Sequence, residues 1–143
     1  MVLQDKDNVV EAYEKVRSDT DETTWLICRY DGKEIAVSET GNDISELFSG
    51  DKLKNDERAF VYLRLETGDE MSRRAKFAFI TWIGPEVSPI KKAKVSTDKA
   101  FVKQAIREFA TEFMIDTHVD MNYTNIEQAV IKSSGANYGT GVR

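Results

Sequence analysis

MSRRAKFAFITWIG, residues 71–84, decides how this chain folds. From Phe77 to Ile83 every side chain but Thr81 is apolar, and aromatic and branched residues fall on both parities. That is the composition of a strand covered on both faces. Gly84-Pro85 closes it, because proline cannot donate to a ladder and glycine tolerates a sharp turn. A second run of this kind, Arg58 to Glu66, alternates Ala59, Val61, Leu63 and Leu65 against Phe60, Tyr62 and Arg64, and Thr67-Gly68-Asp69 between the two runs is a turn signal. Two such strands need helices on each side.

Reading outward, residues 5–18 carry Val9, Ala12, Tyr13 and Val16 on one helical face. Thr24–Tyr30 and Lys33–Ser38 form a hairpin turning at Asp31-Gly32, and Ile44, Leu47 and Phe48 mark a short amphipathic piece ending at Gly50. Beyond Pro89 the chain is basic and helical. Thr97 is expected to cap a long helix with Asp98 near its positive end, carrying Val102, Ala105, Ile106, Phe109 and Ala110 at helical spacing. Glu112–Thr117 reads as a fifth strand, and Asp120–Ser134 as a last helix with Ile126, Ala129 and Val130 inward and Gly135 as its C-cap. The expected fold class is α/β (α+β), one mixed five-stranded sheet sandwiched between helices. Residues 1–134 make a single domain and 135–143 a flexible tail.

The charge is segregated. Residues 71–103 hold eight Lys or Arg against two acids, a local balance of +6 in a chain of net charge −5. A concentrated basic segment favours an acidic partner. Chemistry finds no support: His118 stands alone without a nucleophile motif, and no phosphate-cradling glycine loop or metal-ligand spacing occurs, so neither an enzyme nor a cofactor or metal is expected. His118 reads as a surface residue at a strand end. Cys28, the single cysteine, lies in an apolar strand and reads as a buried inert thiol. The aromatics of 77–82 read as core, not as a stacking platform for nucleic acid. No apolar run approaches the roughly 18 residues of a membrane span, and the N-terminus has no secretory pattern, so a cytoplasmic monomer is expected.

Several segments taken in order resemble the actin-depolymerising-factor homology family. They are Tyr13–Arg17, Tyr30-Asp31-Gly32, Thr67-Gly68-Asp69, Met71-Ser72 with Arg73–Phe77, Ile80–Gly84, Thr97-Asp98-Lys99, Phe109-Ala110 with Glu112-Phe113, and Gly135–Tyr138. The resemblance implies that family's five-stranded fold and a place on the actin cytoskeleton. More narrowly, it implies the branch that binds the side of actin filaments without severing them and opposes barbed-end capping. Lys76 matches the lysine this family uses for actin, with Arg73 and Arg74 as its basic neighbours. Lys91, Lys92 and Lys94 fall where relatives place the basic start of their long actin-binding helix. Lys103 follows on that helix, where it and Lys99 could instead pair with nearby acids. Lys132 is the one base in the last helix, which thins the surface that severing relatives use. No serine stands at the N-terminus to carry the phosphate that controls cofilins. The same bases would also suit anionic phosphoinositide headgroups, each contributing about 1 kcal/mol near a lipid surface. A protein-partner adaptor is the third possibility.

Overall fold

Residues 6–68 and 74–136 are described by the computed structural model. In chain order the elements are helix α1 (Lys6–Arg17), strands β1 (Trp25–Asp31) and β2 (Glu34–Gly41), a short 3-10 helix (Ile44–Phe48), β3 (Arg58–Thr67), β4 (Arg74–Ile83), α2 (Pro89–Val102), β5 (Thr111–Ile115) and α3 (Tyr123–Ala136). The sheet runs β2-β1-β3-β4-β5. The first three pairings are antiparallel and β4–β5 is parallel, with α2 in the crossover that a parallel pair requires. This is the mixed five-stranded sheet with helices on both faces that the residue pattern implied.

The alternation read along β3 sorts the core into two layers, because successive side chains leave opposite faces of a strand. Phe60 and Tyr62, with Phe79 and Ile83 of β4, pack beneath α1 and α2 around Val9, Val16, Val95 and Val102. Ala59, Val61, Leu63 and Leu65, with Ala78, Ile80 and Trp82, pack beneath α3 around Ile126 and Val130. The aromatics form two stacks: Tyr62 packs on Phe77 at 5.5 Å and Phe79 on Phe109 at 5.3 Å, so they are core. Arg64 closes the C-terminus of α1, donating through Nη1 to the carbonyls of Val16, Arg17 and Ser18 at 3.1–3.3 Å.

Four expectations need correction. The helix after Pro89 is capped by Ser88, not Thr97, and ends at Val102. Ala105 and Ile106 are buried, but in a tight turn whose N–H groups return to Val102 O at 3.0 and 2.9 Å. The chain then reaches the sheet through Ala110 N to Phe77 O at 2.7 Å. Burial of a turn imitated helical spacing there. Asp98 accordingly sits in mid-helix, 4% exposed, accepting a hydrogen bond from the Tyr30 hydroxyl at 2.6 Å.

The hairpin turns at Gly32-Lys33, one residue later than read, since Asp31 pairs with Glu34 and Gly32 takes φ +64°. The last strand and helix also shift: β5 ends at Ile115, and Asn122 Oδ1 accepts from Asn125 N at 3.2 Å to cap a helix that includes Gly135. His118 is half-buried rather than a surface residue. Its Nε2 lies 2.6 Å from Leu53 O and its ring 4.8 Å from that of Trp82. The expected tail beyond residue 136 and the residues 69–73 lie outside the described residues.

Burial pushes the Cys28 thiol from 9.0 up to about 12. The Tyr30 phenol is raised by burial and then by its bond to Asp98, and burial likewise raises Tyr62. Each group holds its proton more tightly folded than unfolded. The stability this confers is therefore complete below the ordinary values and is lost progressively as pH rises from them through the raised folded values. The urea midpoint is expected to stay level from about pH 7 to 8.5 and to fall by about pH 10.5. A level midpoint across that whole range would contradict the burial of these groups.

Candidate functional site

The basic residues gather at two opposite ends of the sheet. In the β3–β4 ladder Lys76 lies opposite Leu65 and Ile83 opposite Arg58, seven residues further along. At about 3.3 Å per residue the two ends are roughly 23 Å apart.

At the Ile83 end, α2 starts with Ser88 as N-cap and Pro89 at its first position, where the missing N–H costs nothing. Residues 88–94 are all exposed, and Val95 is the first buried side chain of the helix. Lys91, Lys92 and Lys94 have no ion-pair partner among the described residues. Ile90, beside them, is 72% exposed.

This start of α2 is held from beneath. Arg58 Nη1 donates to Lys91 O at 3.2 Å while its guanidinium lies 3.7 Å from the Tyr30 ring centroid, and Tyr30 is bonded to Asp98. The turn leading into α2 is tied to residues 54–57: Gly84 N donates to Glu57 O at 3.0 Å and Glu86 N to Asn55 O at 2.8 Å. That loop is in turn fixed to the β1–β2 hairpin by Arg29, which contacts Glu57 at 3.1 Å and Glu39 at 2.7 Å. Rigid support under a row of solvated lysines presents them at a constant spacing.

At the other end Arg74 is exposed and Lys76 half-buried at the start of β4. Ala110 N bonds Phe77 O, and Ser133 Oγ donates to Ala110 O at 3.4 Å, so the last turns of α3 lie beside the first residues of β4. Lys132 is thereby brought to the Arg74–Lys76 end, together with Ile131, which is 48% exposed. Arg74, Lys76 and Lys132 have no ion-pair partner among the described residues. Arg73 lies outside the described residues.

Lys103 joins neither end. Its Nζ is 2.8 Å from Glu112 and that of Lys99 2.9 Å, so the acid they pair with is on β5 and not on their own helix. Burial would raise the Glu112 carboxyl, but hydrogen bonds from Lys103 and Lys99 outweigh it and hold the group below the ordinary range. Ile90 and Ile131 were missed from the sequence. For Ile90 a signal existed, since on a helix begun at Pro89 it falls roughly 140° from Val95, away from the buried stripe. Among the described residues no group of three or more His, Cys, Asp or Glu is placed to hold a metal, and no helix is long and apolar enough to cross a membrane.

A five-stranded mixed sheet of this order, with a crossover helix that starts in unpaired lysines, defines a class. The pattern of cofilin/tropomyosin-type actin-binding proteins matches residues 2–131, and the chain belongs to that family. Within it the chain is similar to coactosins. It is 40% identical to the coactosin-like protein of Mus musculus over 134 residues, spanning 94% of this chain and 93% of the mouse protein. The crystal structure of human coactosin-like protein superposes with a TM-score of 0.86 at 36% identity, covering 92% of this chain and 99% of that one. The solution structure of mouse coactosin, described as an actin filament binding protein, gives 0.77 at 37% identity over 99% of both chains.

Proposed function

We infer that this protein binds the side of actin filaments through its two basic ends and acts by occupying the filament, not by severing it. The observation that carries this reading is the pairing at each end of unpaired bases with an exposed isoleucine: Ile90 with Lys91, Lys92 and Lys94, and Ile131 with Arg74, Lys76 and Lys132. An apolar anchor rimmed by charge is the usual make-up of an interface, and two of them roughly 23 Å apart suit a partner that repeats. A filament presents neighbouring subunits to both ends, whereas a monomer presents one. The mouse relative described as a filament binder supports the same choice. Lys132 as the only base of α3 argues against severing, and a bound, non-severing protein would stand in the way of barbed-end capping.

Co-sedimentation with filaments at rising salt is the test. Most of the protein is expected in the pellet at low salt, with affinity falling steadily as salt rises, because exposed charges are screened beyond roughly 8 Å at physiological ionic strength. Protein that remains in the supernatant at saturating filament removes the reading. Affinity that is level or rises with salt moves the interface to an uncharged surface. The α2 end, with Ile90 among three lysines, also suits a phosphoinositide surface. Pelleting with phosphoinositide-containing against neutral vesicles separates that use from filament binding.

A further inference from the structure

We propose that Ser88 is a phosphorylation site for a proline-directed serine/threonine kinase, and that its phosphate closes the α2 end of the actin-binding surface. The second half rests on the function inferred above, whereas the first does not. Of the two prolines in the chain, Pro85 follows glycine and only Pro89 follows a hydroxyl residue, and the sequence Ser88-Pro89-Ile90-Lys91 places a base two residues beyond the proline. Kinases of this class select proline after the acceptor, since its ring has no N–H to leave unpaired against their apolar shelf, and a following base adds a charged contact.

The structure leaves this segment accessible. Ser88 is exposed with an extended backbone, φ −65° and ψ 154°, and among the described residues its hydroxyl accepts one long hydrogen bond, from Lys91 N at 3.4 Å. A kinase must also straighten the residues after the acceptor. Nothing between 88 and 94 is buried, and among the described residues the one side-chain tie on that stretch from elsewhere is Arg58 to Lys91 O. The first turn of α2 can therefore open without exposing core, which is the kind of local opening that costs little.

In the transfer, Ser88 Oγ attacks the γ-phosphorus of a magnesium-bound nucleoside triphosphate. The Oγ–phosphorus bond forms as the bond from that phosphorus to the β–γ bridging oxygen breaks, the hydroxyl proton passes to the kinase's carboxylate, and nucleoside diphosphate leaves. The product carries roughly −1.5 to −2 charges at the base of α2, next to Lys91 and Lys92 and to the first-turn N–H of Lys91, which already donates to Ser88 Oγ. It offsets the charge those lysines offer a partner, while it supports the helix it caps. One group thus weakens binding and strengthens the fold.

The full-length protein treated with a proline-directed kinase and magnesium-ATP, then mapped by mass spectrometry, is expected to carry one phosphate on Ser88. None is expected at that position in Ser88→Ala, and little in Pro89→Ala. The purified phosphoprotein is expected to bind filaments at least about tenfold more weakly than the unmodified chain, with a melting temperature equal or higher. Absence of phosphate at Ser88, or full modification of Pro89→Ala, overturns the site. Phosphate on Ser88 with unchanged filament binding overturns the switch. If the unmodified protein itself fails to bind filaments, the function inferred above falls, and the mapping result still decides the site.

Discussion

Lys76→Ala is expected to lower filament affinity about tenfold, and Lys91→Ala, Lys92→Ala and Lys94→Ala together by more than that, with melting temperatures close to wild type. A charge-assisted contact contributes about 1.5–3 kcal/mol, and about 1.4 kcal/mol is already tenfold. Stability should separate from binding, because none of the four lysines has an ion-pair partner among the described residues and removing a solvated side chain usually changes stability by less than about 0.5 kcal/mol. Lys33→Ala, at the hairpin turn and at the other end of the sheet from Lys76, is the comparison for the single change and should bind as wild type does.

The two ends share no residues, so their losses should multiply when the changes are combined, as free energies of separated sites add. Co-sedimentation of the four proteins beside thermal melts decides the matter. Equal binding by Lys76→Ala and wild type takes the β4 end out of the site. A loss confined to the triple change leaves a one-ended contact, which no longer explains a preference for filaments over monomers.

The central strands were legible in the sequence because burial on both faces leaves so little choice of residue. Phe60 and Tyr62 on one parity and Val61 and Leu63 on the other could only be a strand with a core on each side, and they are. The helix between β4 and β5 was harder. Its first six residues bury nothing, so hydrophobic spacing is silent there, while Ala105, Ile106 and Phe109 are buried or packed by a returning turn and continue the rhythm past the true end at Val102. Local hydrogen bonding would have been the better guide, since Ser88-Pro89 is an N-cap followed by a first-turn proline.

The candidate site could be read from the sequence as a set of bases and not as a layout. The bases of 71–94 appear as one cluster in the sequence, but β4 carries its own first residues away from α2 by most of its length, so they divide between two ends. Lys132, distant in sequence, joins Lys76 only because α3 folds back along β5. Lys99 and Lys103 do pair with an acid, as their setting allowed, but Glu112 comes from a strand that linear spacing on the helix could not reveal.

Gly84→Ala is expected to be the most destabilising of the changes considered, by about 3 kcal/mol, near the upper end of the usual cost of overpacking. A β-carbon at position 84 would meet the backbone of Asn55 well inside van der Waals contact and would stand 2.6 Å from Lys54 O. Neither carbonyl can yield cheaply. Asn55 O accepts from Glu86 N at 2.8 Å, Lys54 O accepts from Trp82 Nε1 at 2.8 Å, and Gly84 N itself donates to Glu57 O. Moving the loop also pulls on Leu53 O at His118 and on the Arg29 contacts to Glu57 and Glu39.

Gly32→Ala is the informative contrast. Gly32 has φ +64° but open space around it, so alanine there meets only the left-handed backbone penalty, about 1–2 kcal/mol. In urea titrations Gly84→Ala should therefore lose clearly more stability than Gly32→Ala. Because residue 84 also sets where α2 begins, the folded fraction of Gly84→Ala at low temperature should bind filaments more weakly than Gly32→Ala does. A Gly84→Ala protein that unfolds within about 1 kcal/mol of wild type would mean that the 54–57 loop gives way easily and does not hold α2 in place.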